Sequence, residues 1–591
     1  MKRLFVIFFI IVSPFLMAQS SQLAAAYYDK GEFDKAVFLY ESLYKSQPYD
    51  QQYFTRLVTC YQQLQQFDKA EVTLLHRLKQ YKQSPILVAL GYNYQLQNKS
   101  DLANKHYQDA INSLIDNPNL VYVIAREFEN KSLINYAIQT YELASSINTD
   151  FNFDYPIALL YGQVGNFSKM IENILNYAES NATAVSNVQN LLAFYMNDDV
   201  EKNFSNQLRK TLLQRLQKNQ DILWVQFLSW YFVQQQDFDK AFVHEKSIYI
   251  REGGNVHQLF SLAIAAYDEE QFETAQQILN FILENVLDQE DQLYATLLKN
   301  KILLATSKPK DYLFLKNTFD SQLHHFGITS NSVDLTLQIA SFYGFELNNF
   351  NEAKHKIDKL LALSLPIVQE ARVKEKLADL YLANQKFNQA IVVYGQIQND
   401  VKNNELAHEA QFKMALTSYF KTDFDWAQKQ FKVLKQSTSL LIANDALEMY
   451  LLINDATQQD SAKVVLTPLA KADFLKFQKK YDEAKKAYEQ ILKISEDSDI
   501  ADVTLYRLAN VNYSLGNYQQ AFKQLDSLLN QFPDSIYRDD SYYLLGTWYD
   551  KDENIESAQQ NFEQIIMYHQ DSIYFLEAQT RYRKLRGDKN I

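Results

Sequence analysis

A recurring alanine constrains this chain more than any other feature. Ala36, Ala70, Ala103 and Ala137 are spaced by 34, 33 and 34, and Ala241 and Ala275 by 34. Further on, Ala353, Ala390 and Ala427 are spaced by 37 and 37, and so are Ala484, Ala521 and Ala558. A period of this size marks a stack of helical hairpins. One hairpin cannot bury its own apolar face, so its neighbours must cover it. The alternatives are poor. A chain of 591 residues is too long for one compact core. Its 12 glycines and 9 prolines are too few for the many tight turns of a large β protein.

Three of these alanines close the same tetrapeptide, Phe-Asp-Lys-Ala, at 33–36, 67–70 and 238–241. Each letter has an expected packing role. Gly31 should end the first helix in the left-handed conformation that glycine adopts freely. Asp34 is expected to cap the second helix with its carboxylate. Phe33 and Phe38 have the spacing of a hydrophobic staple, repeated as Phe67/Val72 and Phe238/Val243. Ala36 is small enough to let the two helices approach, and Pro48 follows as a stop.

The period breaks in places. Met170 replaces the alanine, and the interval from there to Ala241 leaves room for a degenerate hairpin around "NFSNQLRKTLLQRLQ". The interval from Ala275 to Ala353 leaves room for another around "DYLFLKNTFDSQLHHFG". The interval from Ala427 to Ala484 is longer than one period and shorter than two, which implies a short or displaced helix pair. Gly253–Gly254 reads as a loop. The expected organisation is a leader (1–18), an N-terminal array (19–252), an irregular middle (253–365) and a C-terminal array (366–591).

The leader is read from Lys2 and Arg3, the apolar run Leu4–Met17 and the following "AQS", which together have the layout of a secretory signal. At ~1.5 Å per residue that run is too short for a ~30 Å hydrocarbon core. Cleavage is expected after Ala18, and no other stretch is apolar and long enough to span a membrane. Export is therefore expected. Cys60 is the only cysteine, so no internal disulfide exists and the thiol reads as a buried structural one. The net charge of −13, with no basic stripe, argues against nucleic acid as a partner.

Gly91, Tyr94, Ala103, Tyr107 and Ala110 in one repeat, and Ala24, Tyr27, Ala36, Tyr40 and Pro48 in another, follow a small–aromatic–Ala–aromatic pattern. On these residues the chain resembles tetratricopeptide-repeat proteins. The joints "NQFPDSIYRDDSYYLLG" and "MYHQDSIYFLEAQTRYRKLRGD" are similar to those of periplasmic repeat proteins of Gram-negative bacteria. Outer-membrane assembly lipoproteins and coordinators of the division envelope machinery are examples. The resemblance implies an all-α superhelical solenoid of antiparallel hairpins, with about 14–16 repeats.

No catalytic signature is present. His244 and His408 begin zinc-protease-like strings without the second histidine, and adjacent His324 and His325 cannot face one metal on a helix. No glycine-rich phosphate loop and no nucleophile elbow occur. No cofactor and no metal are expected, and the chain reads as no enzyme. What remains is surface. The resemblance places groove-facing positions at offsets of −15, −11 and −8 from each alanine. In the N-terminal array these are Tyr92, Tyr122, Arg126, Tyr155 and Trp230. In the middle they are Phe260, Tyr267, Phe342 and Phe345. In the C-terminal array they are Phe412, Tyr419, Tyr506, Asn510, Tyr513 and Tyr543. Aromatic anchors along a groove suit a peptide or protein partner. The expected function is a protein-binding scaffold of the bacterial envelope, at the periplasmic or outer-membrane surface. The alternative is a glycan-binding component of a polysaccharide-uptake system.

Overall fold

A computed structural model describes residues 20–587, apart from 82, 149, 198, 200, 254, 403, 437–439, 458–461 and 495–499. The expected leader, 1–18, lies outside the described residues, as does Gly254. The chain is all-α, with no strand among the described residues. It divides into two compact units, Met1–Gln234 and Gln235–Ile591. The expected divisions at 252/253 and 365/366 both fall inside the second unit.

In the first unit, helix 20–29 pairs with Phe33–Ser46, Gln51–Gln63 with Phe67–Tyr81, and Pro85–Gln95 with Ser100–Asn112. Val121–Asn130 pairs with Ile134–Ile147, Asp154–Gln163 with Phe167–Ser180, and Val185–Asn197 with Asn203–Lys218, before helix Ile222–Gln234. The degenerate stretch at 203 is thus an ordinary second helix. The repeating alanines sit where the two helices of a hairpin cross, and Ala36, Ala70 and Ala137 are fully buried. Met170 is equally buried at its crossing, filling with a flexible side chain what alanine leaves to its neighbours. Gly91 serves the same contact from the first helix: a Cβ there would lie 2.5 Å from the Tyr107 ring. Cys60 is buried, and burial pushes its thiol up to about 11 against the opposing pull of Arg56.

The tetrapeptide works differently from its expected reading. The second helix begins at Phe33, with Glu32 as N-cap, so Asp34 lies in the first turn and caps nothing. There its charge still complements the amide end of the helix. No staple forms either, because Phe38, Val72 and Val243 are among the most exposed apolar side chains. The constant element is the turn five positions before each alanine. Gly31, Gln65, Asn98, Ser132, Gly165 and their equivalents through Glu553 all have φ between 51° and 77°. The next residue's amide then bonds to the carbonyl five positions back, as Gln66 N to Tyr61 O at 2.8 Å and Lys386 N to Tyr381 O at 2.8 Å, or six back at the π turn, as Asn349 N to Tyr343 O at 2.8 Å. This is the helix stop in which a left-handed residue satisfies the last free carbonyls.

The second unit opens with helix Phe238–Glu252 and continues as hairpins Val256–Asp268/Phe272–Asn285 and Gln289–Thr306/Tyr312–Phe326. The hairpin of Val333–Ser341 and Phe350–Leu361 includes a wide π turn at Phe342–Glu346. Ile367–Ala383/Phe387–Asp400 and Glu405–Phe420/Phe424–Leu434 follow. The irregular interval between Ala427 and Ala484 is explained by one extra helix, Leu440–Thr457, before the full hairpin Ala462–Phe477/Tyr481–Ile494. The pair expected there to be short or displaced is complete. Ala501–Ser514/Tyr518–Gln531, Arg538–Lys551/Ile555–Tyr568 and helix Phe575–Arg586 complete the unit.

Candidate partner-binding grooves

In the first unit, the first helices of three successive hairpins, Gln51–Gln63, Pro85–Gln95 and Val121–Asn130, border a cavity of about 580 Å³. Phe54, Val58, Ile86, Ala89 and Val123 form its apolar wall, with Arg126, Glu127 and Lys131 at one end. Burial holds the Glu127 carboxyl above its usual range, opposed by Lys131.

In the second unit a larger cavity, about 800 Å³, lies along Gln289–Thr306, Val333–Glu346 and Ile367–Ala383. Leu297, Leu298, Leu304 and Leu337 supply its apolar side. Its rim is ionic: Arg372 pairs with Asp334 at 2.7 Å, and Lys479 reaches Glu346 at 2.5 Å across 133 residues of sequence. Lys479, in a left-handed turn, thus brings a residue distant in sequence to the lining of this cavity.

The residues expected in the groove are scattered over several environments. Arg126 is exposed and lines the first cavity. Tyr92 is half-buried under the Lys131 ammonium, 5.1 Å from its ring centre. Tyr122 and Tyr155 are exposed and pack edgewise on Phe153 and obliquely on Tyr177. Trp230 is half-buried against Phe227. Tyr267 lines a small cavity of about 210 Å³. Phe412 is half-buried on Phe431, and Phe345 meets Phe477. Tyr506, Tyr513 and Tyr543 are half-buried and stack on Tyr537, Trp548 and Tyr574 respectively, at 5.0, 4.2 and 4.2 Å. Asn510 turns its amide to the Tyr506 carbonyl of its own helix.

Phe260, Phe342 and Tyr419 are core side chains, at 5%, 1% and 0% exposure, and Phe342 also lines the second-unit cavity. Phe260 is covered by Tyr294 of the next hairpin. Phe342 starts the π turn, which rotates the helix out of the regular register. Tyr419 is covered by helix Ala462–Phe477, where its hydroxyl donates to Asp473 at 2.8 Å.

That last contact belongs to a polar network invisible to the repeat register. Asp473 also accepts from Tyr488 at 2.6 Å and pairs with the Arg507 guanidinium. Arg507 further pairs with Glu448 at 3.2 Å, and Tyr537 donates to Glu448 at 2.9 Å. Burial opposes the charge on Arg507, but Asp473 and its neighbours outweigh it and hold the guanidinium firmly protonated. Close by, Asp540 accepts from Tyr574 at 3.0 Å with Asp539, Glu448 and Asp445 as its charged neighbours. Burial first, then those carboxylates, push its carboxyl up to about 7. The signal in the sequence is the doubled Ser-Ile-Tyr joint, 535–537 and 572–574. Each serine accepts from the tyrosine amide two positions on, and each tyrosine is thrown onto the preceding repeat.

Among the described residues no group of three or more histidine, cysteine or acidic side chains could hold a metal ion, and no helix is long and apolar enough to cross a membrane. Residues 499–566 and 469–498 match tetratricopeptide-repeat families. No curated protein matches the chain. Among solved structures the chain is similar to a structure of Naa15/Naa10 bound to HypK-THB, at 13% identity and a TM-score of 0.28, over 97% of this chain and 96% of that one. It is also similar to the APC/C hetero-tetramer Cut9–Hcn1, at 12% identity and a TM-score of 0.24, over 96% of each chain. The fold rests on the hairpin packing and not on these low scores. Tetratricopeptide repeats are, as a class, protein-interaction scaffolds.

Proposed function

We propose that this chain is an exported, non-enzymatic scaffold of the bacterial cell envelope that binds segments of partner proteins along grooves bordered by its first helices. The observation that carries this reading is the first-unit cavity. It spans three successive hairpins, has an apolar wall and is charged at one end. Such a cleft takes an extended or helical segment, with side chains anchored in the wall and polar contacts at the rim. Arg126 and the exposed Val123 are the anchors we assign to it, with Tyr122 and Tyr155 along the same array. Export rests on the Lys2–Arg3 and Leu4–Met17 pattern, and cell fractionation tests it. A sugar platform would need flat aromatic faces open to solvent. Tyr513 and Tyr543 instead stack on neighbours in their own array.

The test is site-specific photo-crosslinking in the native envelope. A photoreactive residue at Val123 should trap a discrete adduct. The same residue at Val72, exposed on a second helix outside the cavity, should not. Equal adducts at both positions, or adducts that persist with Arg126→Glu and Val58→Asp, would sink the groove reading.

A further inference from the structure

We infer that the outer face of helix Phe575–Arg586 is a docking surface for an anionic lipid bilayer; the inference rests on the proposed envelope location. This helix buries a single residue, Ala578. Its other side chains are at least partly exposed.

Leu576 is 74% exposed, and Ile573, in the turn just before the helix, is 51% exposed. Tyr568 and Met567, at the end of the preceding helix, are 74% and 58% exposed. Leu576, Thr580 and Arg583 follow at i, i+4 and i+7, so one stripe runs from the apolar start of the helix to its basic end. Arg581 turns inward to Glu577 and Asp550, at 3.0 and 3.5 Å. Arg583 and Lys584 form no ion pair among the described residues. Residues 575–591 hold five basic side chains against two acidic ones, in a chain whose net charge is −13. An anionic surface therefore repels most of the molecule and attracts this end, orienting it. A protruding stripe with apolar side chains at one end and cations at the other fits a plane. A helix lying at the headgroup level is bound in this way. A peptide would instead need a cleft.

The test uses residues 19–591, so that the apolar leader cannot itself bind lipid, and co-sedimentation with vesicles. One set of vesicles holds one part phosphatidylglycerol to two parts phosphatidylcholine, and the other is pure phosphatidylcholine. At low salt the anionic vesicles should bind the chain at least tenfold more strongly, with the difference shrinking as salt rises. Arg583→Glu with Lys584→Glu should abolish that difference. Leu576→Ser with Ile573→Ser should weaken binding severalfold while keeping its salt dependence. None of the four sites is buried, and unchanged thermal melting checks that the variants fold. Equal binding by the charge-reversed variant, equal binding to both vesicles, or no vesicle binding overturns the inference. So does capture by soluble polyglutamate in place of vesicles, which would assign the face to an acidic protein. The assay involves no groove ligand, so its failure leaves the crosslinking test of the groove standing, and the reverse holds.

Discussion

Asp540 offers the sharpest test of the network in the second unit. Its carboxyl titrates at about 7 in the folded chain, against a reference value of 3.8. The folded state therefore holds this proton more tightly than the unfolded state. From about pH 4 to pH 7 each rise in pH removes stability, and above pH 7 the penalty levels off. Between pH 5 and pH 8 the window crossed is about two units, which at ~1.4 kcal/mol per unit sets an upper bound near 3 kcal/mol for this site. Asp540→Asn keeps an oxygen to accept from Tyr574 and removes the titration. Hydrogen exchange of peptides spanning 501–514 and 538–551, corrected for intrinsic exchange, reads the effect where it arises. In the parent chain protection there should fall with pH by up to ~100-fold between pH 5 and pH 8. In the variant it should be nearly flat, and higher than the parent at pH 8. Helix Val121–Asn130 of the first unit is the control. If parent and variant lose protection in parallel, Asp540 is not held protonated by its surroundings and the reasoning fails.

Further outcomes follow from the packing. Arg507→Met strands the Asp473 carboxylate, which is about one-tenth exposed, and should destabilise the second unit by ~3–5 kcal/mol, read from the urea midpoint of Trp548 fluorescence. Gly546→Ala and Gly395→Ala should have opposite signs. The first drives a methyl to 2.7 Å from Phe562 and should cost ~1–3 kcal/mol. The second meets only the Met414 sulfur at 4.0 Å inside a helix and should gain ~0.5–1 kcal/mol in thermal melting. Gln385→Gly relieves a side chain at φ 59° and should raise the melting temperature modestly, by up to ~1 kcal/mol; a fall would mean the glutamine has a role beyond the turn.

The hairpins are legible in the sequence because their cause is local and repeated. An alanine stands at most crossings, and the spacing of those alanines exposes the period even where Met170 replaces one. The tetrapeptide misleads for a related reason. Phe38, Val72 and Val243 recur with it, yet the start of the second helix is set by the left-handed turn before it and needs no staple. That turn is hidden because only some of its positions are glycine. Gln65, Asn98 and Thr422 adopt the same conformation under tertiary constraint. The groove register brings Arg126 to one cavity and the buried Phe342 to another but sends Phe260 and Tyr419 into the core, because it assumes that every repeat presents its first helix alike. A π turn interrupts one of them, and helix Ala462–Phe477 covers Tyr419 through a contact 54 residues away in sequence.

Those distant contacts divide the molecule's behaviour. In a regular array each repeat touches only its neighbours, so a groove opens or closes one hairpin at a time. The first unit obeys this: its longest described hydrogen bond runs from Arg215 to the Glu172 carbonyl, 43 residues apart. The second unit does not. Gln478 donates to the Ala383 carbonyl at 2.6 Å, Lys479 spans 133 residues to Glu346, and Lys551 spans 281 residues to Glu270. The Lys551 pair is exposed on both sides and contributes little by itself. The buried contacts of Gln478 and Tyr537 make the difference, because breaking either strands a polar group. The cavity of the second unit is thus tied to distant repeats by side-chain contacts, whereas the described hydrogen bonds around the first-unit cavity stay between neighbouring hairpins.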